Sequence, residues 1–253
     1  YVFQQVDWIS STASINRIIK NPKLGLFVLT KEGVFIHKTD QTTQQLFANI
    51  DVLNVVFSRE DNFFVSSANK VFDQSENLLV AVDSSHTITS LYDQGALLWI
   101  GTNKGLFRYN KNTLKIEELT QRNSKFDKAG VNFIHRDGAN NLWIGSTLGD
   151  YRITKDKWKK YNDGKNVIDY FENNEGIWFV SDDDMWLVDL KNRFYPVGFG
   201  KDLTLGKLND FTIDNKGQLY FASNKLTTYN PYLNKVKNYE DEISFLTERT
   251  TAL

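Results

Sequence analysis

Six copies of one short pattern run through this chain, and few folds are open to a sequence built that way. The clearest copy is Leu97–Asn110, LLWIGTNKGLFRYN, which reads as two short strands joined by a tight Asn-Lys-Gly turn. It is echoed by Asn141–Ile153, NLWIGSTLGDYRI. With the middle aromatic as anchor, the series is Phe27, Phe64, Trp99, Trp143, Trp178 and Tyr220, spaced by 37, 35, 44, 35 and 42 residues. Three positions beyond each anchor stands a hydroxyl: Thr30, Ser67, Thr102, Ser146, Ser181 or Ser223. Eight beyond stand Phe35, Phe72, Phe107, Tyr151, Trp186 and Thr228, and about twelve before stand Ile15, Val52, Ile88, Val131, Val167 and Leu208.

Each copy divides into four strand candidates, most plainly in the fourth: Val131–His135, Leu142–Ser146, Asp150–Thr154 and Trp158–Tyr161. We call these a, b, c and d. Units of about 40 residues with four antiparallel strands are the signature of propeller blades, whose small sheets hide their faces only by stacking on one another. The anchors then fill the stack, since a Phe or Trp buries roughly 150–250 Å², and the hydroxyls three positions on are expected to bond the backbone of the b–c turn. The residues six before each anchor (Asn21, Ser58, Asp93, Asp137, Glu172 and Asp214) are expected to cap the a–b turns, because a catalytic group is needed once and not six times.

The expected fold is all-β: a propeller of six complete four-stranded blades plus the start of a seventh, in a single domain over residues 1–253. The blades are placed at 12–48, 49–83, 84–120, 128–162, 164–198 and 205–240, with 241–253 opening the next. Val2-Phe3-Gln4 reads as an edge strand of that seventh blade and Arg249–Leu253 as the approach to it, so the ring is expected to be truncated; a ring closed by six blades is the alternative. The chain opens on Tyr1 without a methionine, and is expected to be cut from something longer.

Composition narrows the function. A net charge of −1 with scattered basic residues argues against nucleic acid, and no apolar run approaches the roughly 20 residues that cross a membrane as a helix. No cysteine is present to form disulfides or thiolate sites. His37, His86 and His135 fall in different blades without ligand spacing, and Asp182-Asp183-Asp184 lacks the interleaved oxygen ligands and glycine of a calcium loop, so no metal and no cofactor are expected. Nothing reads as a catalytic residue: there is no phosphate-binding loop, no nucleophile elbow and no repeated sialidase-type box.

The repeats resemble the two-component regulator propeller family, whose unit reads roughly as D-x-x-G-x-L-W-I-G-T followed by x-x-G-L-x-R-Y. Leu97–Asn110 matches it closely, Asn141–Ser146 (NLWIGS) nearly so, Gly176–Ser181 (GIWFVS) and Gly217–Ser223 (GQLYFAS) more weakly, and the first two copies are degenerate. The resemblance spans almost the whole chain. It implies a non-catalytic, ligand-sensing propeller from the periplasmic or extracellular part of a membrane-anchored histidine kinase or hybrid regulator, in which two such rings precede a β-sandwich, a membrane helix and the kinase. A structural component of a surface secretion or adhesion machine, and a propeller lyase or glycoside hydrolase, are the competing classes. The expected partners are a polar small molecule or glycan and, for the complete sensor, a second copy in a homodimer, with no nucleic acid and no membrane insertion by this segment.

Recognition is expected on the face where b–c and d–a loops converge. Two d–a connections are long, Gln121–Lys128 and Gly198–Leu203. Arg122, Lys125, Lys201, Lys104 and the acidic turn Asp182–Asp184 are the expected polar contacts there, with Phe126 or Phe199 as an apolar platform. Such a mixture of a stacking surface and a few placed polar groups is what ligand sites commonly show.

Overall fold

The computed structural model describes residues 7–10, 12–119, 129–155, 157–181, 184–197, 208, 210–214, 216–223, 226–230, 233 and 235–239. Every regular element in it is a strand, and the twenty-four strands form six four-stranded sheets, each antiparallel wherever its pairing is described. The first blade is β1 (Ile15–Asn21), β2 (Gly25–Thr30), β3 (Gly33–His37) and β4 (Thr43–Leu46). The second is β5 (Asn54–Phe57), β6 (Phe63–Ser66), β7 (Lys70–Asp73) and β8 (Leu78–Ala81); the third is β9 (Ile88–Gln94), β10 (Leu97–Thr102), β11 (Gly105–Asn110) and β12 (Lys115–Glu118). The fourth is β13 (Val131–Arg136), β14 (Leu142–Ser146), β15 (Gly149–Thr154) and β16 (Lys157–Tyr161). The fifth is β17 (Val167–Asn173), β18 (Gly176–Ser181), β19 (Met185–Asp189) and β20 (Phe194–Pro196); the sixth is β21 (Asp210–Ile213), β22 (Leu219–Ala222), β23 (Leu226–Asn230) and β24 (Lys235–Asn238). Sequential strands pair in chain order within every blade. This is a β-propeller. The segments expected to begin a seventh blade, including Val2-Phe3-Gln4 and Arg249–Leu253, lie outside the described residues.

Two compact units divide the chain, Tyr1–Val131 with three blades and Asn132–Leu253 with three. In the first unit, one core joins blades one and two through Phe27, Leu29, Val52, Phe63 and Val65, and another joins blades two and three through Phe64, Val71, Ile88, Leu98 and Ile100. In the second unit, Phe133, Trp143, Val167, Phe179 and Trp186 tie blade four to blade five, and Trp178, Val180, Phe211, Leu219 and Phe221 tie blade five to blade six.

All six anchors occupy the second strand of their blade. Phe27, Phe64, Trp99, Trp143 and Trp178 are buried, while Tyr220 is half-buried, with its hydroxyl donating to Asp214 Oδ2 at 3.2 Å. In the first five blades the anchor pairs with the residue nine positions on, as in Trp143↔Arg152; in the sixth Tyr220 pairs with Thr228, eight on. The b–c turn of blade six is therefore one residue shorter. That puts Thr227 opposite Phe221 where the other blades place an aromatic, which is why the sixth copy breaks the pattern. Of the apolar positions at the start of strand a, Val52, Ile88, Val131, Val167 and Leu208 are buried, but Ile15 is 50% exposed.

The glycine of the W-I-G motif has a packing cause. At Gly145 a Cβ would lie 2.0 Å from Phe133 Cε1 of the neighbouring strand, so this ring can close over the sheet only where no side chain stands. Gly149, at the far side of the b–c turn, has φ +120°, and a Cβ there would meet Tyr161 O at 2.7 Å.

Two repeated devices join these elements. The first is a five-residue hairpin turn found at Ser58–Asn62, Asp73–Asn77, Asp137–Asn141, Asp189–Arg193 and Asp214–Gln218. Its first side chain accepts the backbone N–H four residues on, and in four of the five also the N–H two residues on. Its fourth residue takes positive φ: Asp61, Glu76, Asn140, Asn192 or Gly217. The second is a strap between first strands. Asn16 Nδ2 donates to Val52 O at 2.9 Å, Asn54 Nδ2 to Ile88 O at 3.4 Å and Asn132 Nδ2 to Val167 O at 2.7 Å, and Thr89 Oγ1 donates to Val131 O. A buried carbonyl deprived of its donor costs roughly 1–3 kcal/mol. Asn132→Leu, which removes the strap without opening a cavity, is therefore expected to lower stability by about that amount in chemical denaturation; an unchanged midpoint would show that the strap carries no load.

Candidate ligand-binding surfaces

The b–c turns are built as expected in four blades. Thr30 Oγ1 donates to Gly33 O at 3.0 Å, Thr102 Oγ1 to Gly105 O at 2.9 Å, Ser146 Oγ to Gly149 O at 2.7 Å and Ser181 Oγ to Asp184 O at 3.2 Å. In the first three the same hydroxyl accepts the N–H two residues on. These hydroxyls fix the turns and are turned away from chemistry.

Of the residues expected to make a ligand site, two are described. Lys104 is exposed at the tip of the β10–β11 turn, its N–H bonded to Thr102 Oγ1 at 3.2 Å. Asp184 uses its Oδ1 to accept Met185 N at 2.9 Å and its carbonyl to hold Ser181. Arg122, Lys125, Phe126, Asp182, Asp183, Phe199 and Lys201 lie outside the described residues. Among the described residues no cluster of His, Asp and Glu is arranged to hold a metal ion.

The a–b turns follow the expected capping in four blades. Asn21 accepts Lys23 and Leu24 N–H, Ser58 accepts Glu60 and Asn62, Asp137 accepts Asn141, and Asp214 accepts Lys216 and Gln218. The bond from Gln218 N–H leads the causes that hold the Asp214 carboxyl below its usual range. Asp137 also accepts Trp143 Nε1 at 2.8 Å, tying the anchor to its own turn. The other two depart. In blade three Gln94 pairs with Leu97 around Gly95, a turn too tight to offer an N–H, and Asp93 instead takes Lys111 Nζ at 2.5 Å. In blade five the cap has moved one residue to Asn173, which accepts Glu175 and Gly176 N–H. Glu172 is thereby released to blade four, where it pairs with His135 Nε2 at 2.7 Å and accepts Gly138 N–H at 3.1 Å.

Sequence reasoning missed where the cavities lie: at the ends of the strands opposite the b–c turns. In the first unit a cavity of about 490 Å³ opens between the c–d turns of blades one and two, lined by Lys23, Phe27, Ile36, Asp40, Gln44 and Gln74. In the second unit a cavity of the same volume occupies the corresponding place between blades four and five, lined by Asn141, Arg152, Lys155, Lys157, Lys159 and Asn192. A smaller one of about 80 Å³ beside it holds Asp137, Trp143, Glu172 and Asp189. Its carboxylates are already engaged in the turn and inter-blade bonds above, and in the ion pair of Asp189 with Arg193 at 2.7 Å.

One buried acid stands apart. Asp150, at the start of β15, is 0% exposed; its Oδ1 accepts Asn162 Nδ2 at 2.7 Å and its Oδ2 makes no hydrogen bond. Burial raises its pKa to about 6 against the opposing effect of the Asn162 bond.

No protein-family model matches the sequence, and no curated protein matches it. Solved structures do. The extracellular domain of BT4673 from B. thetaiotaomicron, described as a hybrid two component system, superposes with a TM-score of 0.69 at 16% identity, over 93% of this chain and 34% of that one. The likeness is one of fold. The chain spans about a third of the length of this ectodomain. Virginiamycin B lyase from Staphylococcus aureus gives a TM-score of 0.66 at 13% identity, over 90% of this chain and 85% of the lyase. PorZ, a surface component of the type-IX secretion system of Porphyromonas gingivalis, gives 0.57 at 12% identity, over 89% of this chain and 33% of PorZ.

Proposed function

We propose that this chain is a non-catalytic, ligand-recognising propeller of a larger surface sensor, held on the periplasmic or extracellular side of a membrane by other parts of the protein. The observation that carries this reading is the match over 93% of the chain to part of a two component system ectodomain, together with the W-I-G-T and G-L-x-R-Y repeats. The repeated hydroxyl clamps support it in a second way, since they fix four b–c turns, and turns held on a rigid scaffold are suited to recognition. A polar ligand such as a glycan, bound by Arg122, Lys125, Phe126, Phe199, Lys201, Lys104 and Asp182–Asp184, would favour one arrangement of the complete sensor over another and shift its population.

A lyase reading draws on the match that covers 85% of virginiamycin B lyase. Against it, the carboxylates around the small cavity of blades four and five are committed to hydrogen bonds and an ion pair, which leaves them poorly placed as acid or base. The test is a glycan panel titrated against the complete protein and against a variant with Arg122, Phe126 and Lys201 all replaced by alanine. Binding lost from the variant at unchanged melting temperature is the expected result. Equal binding by both proteins would remove these loops from the site, and turnover of any member of the panel would favour the enzyme.

A further inference from the structure

The groove between blades four and five carries a charge arrangement that the other described blades avoid. Where the third and fourth strands pair, the residue opposite the anchor faces a partner on the outer strand. In blade three that pair is Arg108↔Glu117, an ion pair at 2.8 Å. In blade one it is Ile36↔Gln44 and in blade five Leu187↔Tyr195. In blade four it is Arg152↔Lys159. Two like charges directly opposite one another destabilise a ladder. Lys157, two residues along the same strand and paired with Thr154, adds a third cation to the same face.

Among the described residues, what surrounds these cations is neutral. Arg152 Nη1 donates to the neutral amide oxygen of Asn192, and its guanidinium lies over the rings of Trp143 at 5.6 Å and Tyr161 at 5.7 Å. Lys159 Nζ stands 4.5 Å from the Tyr161 ring centroid. Lys155 lines the same cavity, and no carboxylate lines it among the described residues; Asp156, between Lys155 and Lys157, lies outside them. Asn141, Thr154 and Asn192 add neutral polar groups to the wall. The space of about 490 Å³ is concave and in the range of small-ligand pockets, which suits a compact ligand better than a flat membrane surface.

We propose that this groove is a binding site for a small, multiply charged anion, one bearing two or more sulfate, phosphate or carboxylate groups. Such a ligand supplies between Arg152 and Lys159 the negative charge that Glu117 supplies to Arg108 in blade three. Arg152 is held ready by the two rings and by Asn192, and presents its planar fork to an oxyanion; Lys157 and Lys159, both on the neighbouring strand β16, act as point charges. The site lies at the opposite strand ends from the b–c turns, so it stands or falls independently of the sensing loops.

The test uses the full 253-residue chain in calorimetric titration with two probes, tripolyphosphate and a sulfated uronate disaccharide, at low and at physiological salt. Saturable binding of at least one probe is expected, weakening as salt rises. Which probe titrates separates a free polyphosphate from an anionic sugar as the source of the ligand. Lys159→Glu should weaken binding by about tenfold or more while leaving the melting temperature unchanged or raised, because it restores the charge pairing of blade three. Lys157→Ala should weaken binding to a smaller extent, and it reads the same site should the charge reversal perturb the blade. Lys70→Ala, at an exposed position of β7 in the first unit, should bind as the parent does. Absence of heat with both probes, or affinities unaffected by both Lys159→Glu and Lys157→Ala, would overturn the proposal.

Discussion

Trp143→Ala is expected to lower the stability of the chain by about 3–5 kcal/mol, the cost of truncating a buried aromatic. The indole is 1% exposed and lies 5.0 Å from the Phe179 ring and 5.6 Å from Tyr161, so its removal opens space within one blade and against the next. Its Nε1–H also satisfies Asp137 Oδ2, the same carboxylate that caps the β13–β14 turn. Trp143→Phe keeps much of the packing and isolates the second contribution, expected at about 1 kcal/mol. Leu190→Ala is the control: with 72% of the side chain exposed, it should stay within about 0.5 kcal/mol. Chemical denaturation of the three variants gives all these values, and a Trp143→Ala midpoint equal to the parent's would mean that the anchors do not hold the blades together.

Asp150 makes the second prediction, in which pH is the variable. Its pKa is raised to about 6 in the folded chain against 3.8 for the ordinary side chain. Well below pH 3.8 both states are protonated and the folded protein has the full benefit. As pH rises the unfolded chain ionises first, and stability falls until the folded carboxyl ionises too. The loss over this window is on the order of 3 kcal/mol, at 1.36 kcal/mol per pKa unit. Asp150→Asn cannot ionise, so its stability relative to the parent should rise by about that amount between pH 3 and pH 7. Taking the difference between the two proteins cancels carboxylates such as Asp214, whose lowered pKa works in the opposite direction. A difference that stays constant over this range would place Asp150 in contact with solvent or with a cation.

Much of the fold was legible because it rests on residues that repeat. A large apolar side chain needed in every blade leaves a period, and the six anchors all stand on second strands. A hydroxyl needed at each b–c turn does the same, and Thr30, Thr102, Ser146 and Ser181 make the bonds that the period implied. The straps were not legible. Asn16 and Asn132 stand eleven residues before their anchors and Asn54 and Thr89 ten, a shift of one that breaks the period, and a single polar residue near the start of a strand has no signature without its partner carbonyl. The groove of blade four was hidden for a related reason. Arg152 and Lys159 are ordinary surface cations in the sequence, and only the strand register sets them opposite one another.

The five-residue turns have one more property. In three of them the residue with positive φ also receives a bond from the blade before it: Asp61 from Lys23 Nζ, Glu76 from Phe47 N–H and Asn192 from Arg152 Nη1. Such a backbone conformation would be met at least cost by glycine, as Gly217 does in blade six. Asp, Glu and Asn accept some local strain there and gain a latch to the neighbouring blade. The latch sits at the apex of a hairpin whose closure is secured by a different residue, the cap at its first position. Joining one blade to the next is thereby separated from folding the blade itself. A lineage of duplicated blades can then exchange one latch for another, residue by residue, while every sheet keeps its register, and six copies with little sequence in common can still share one architecture.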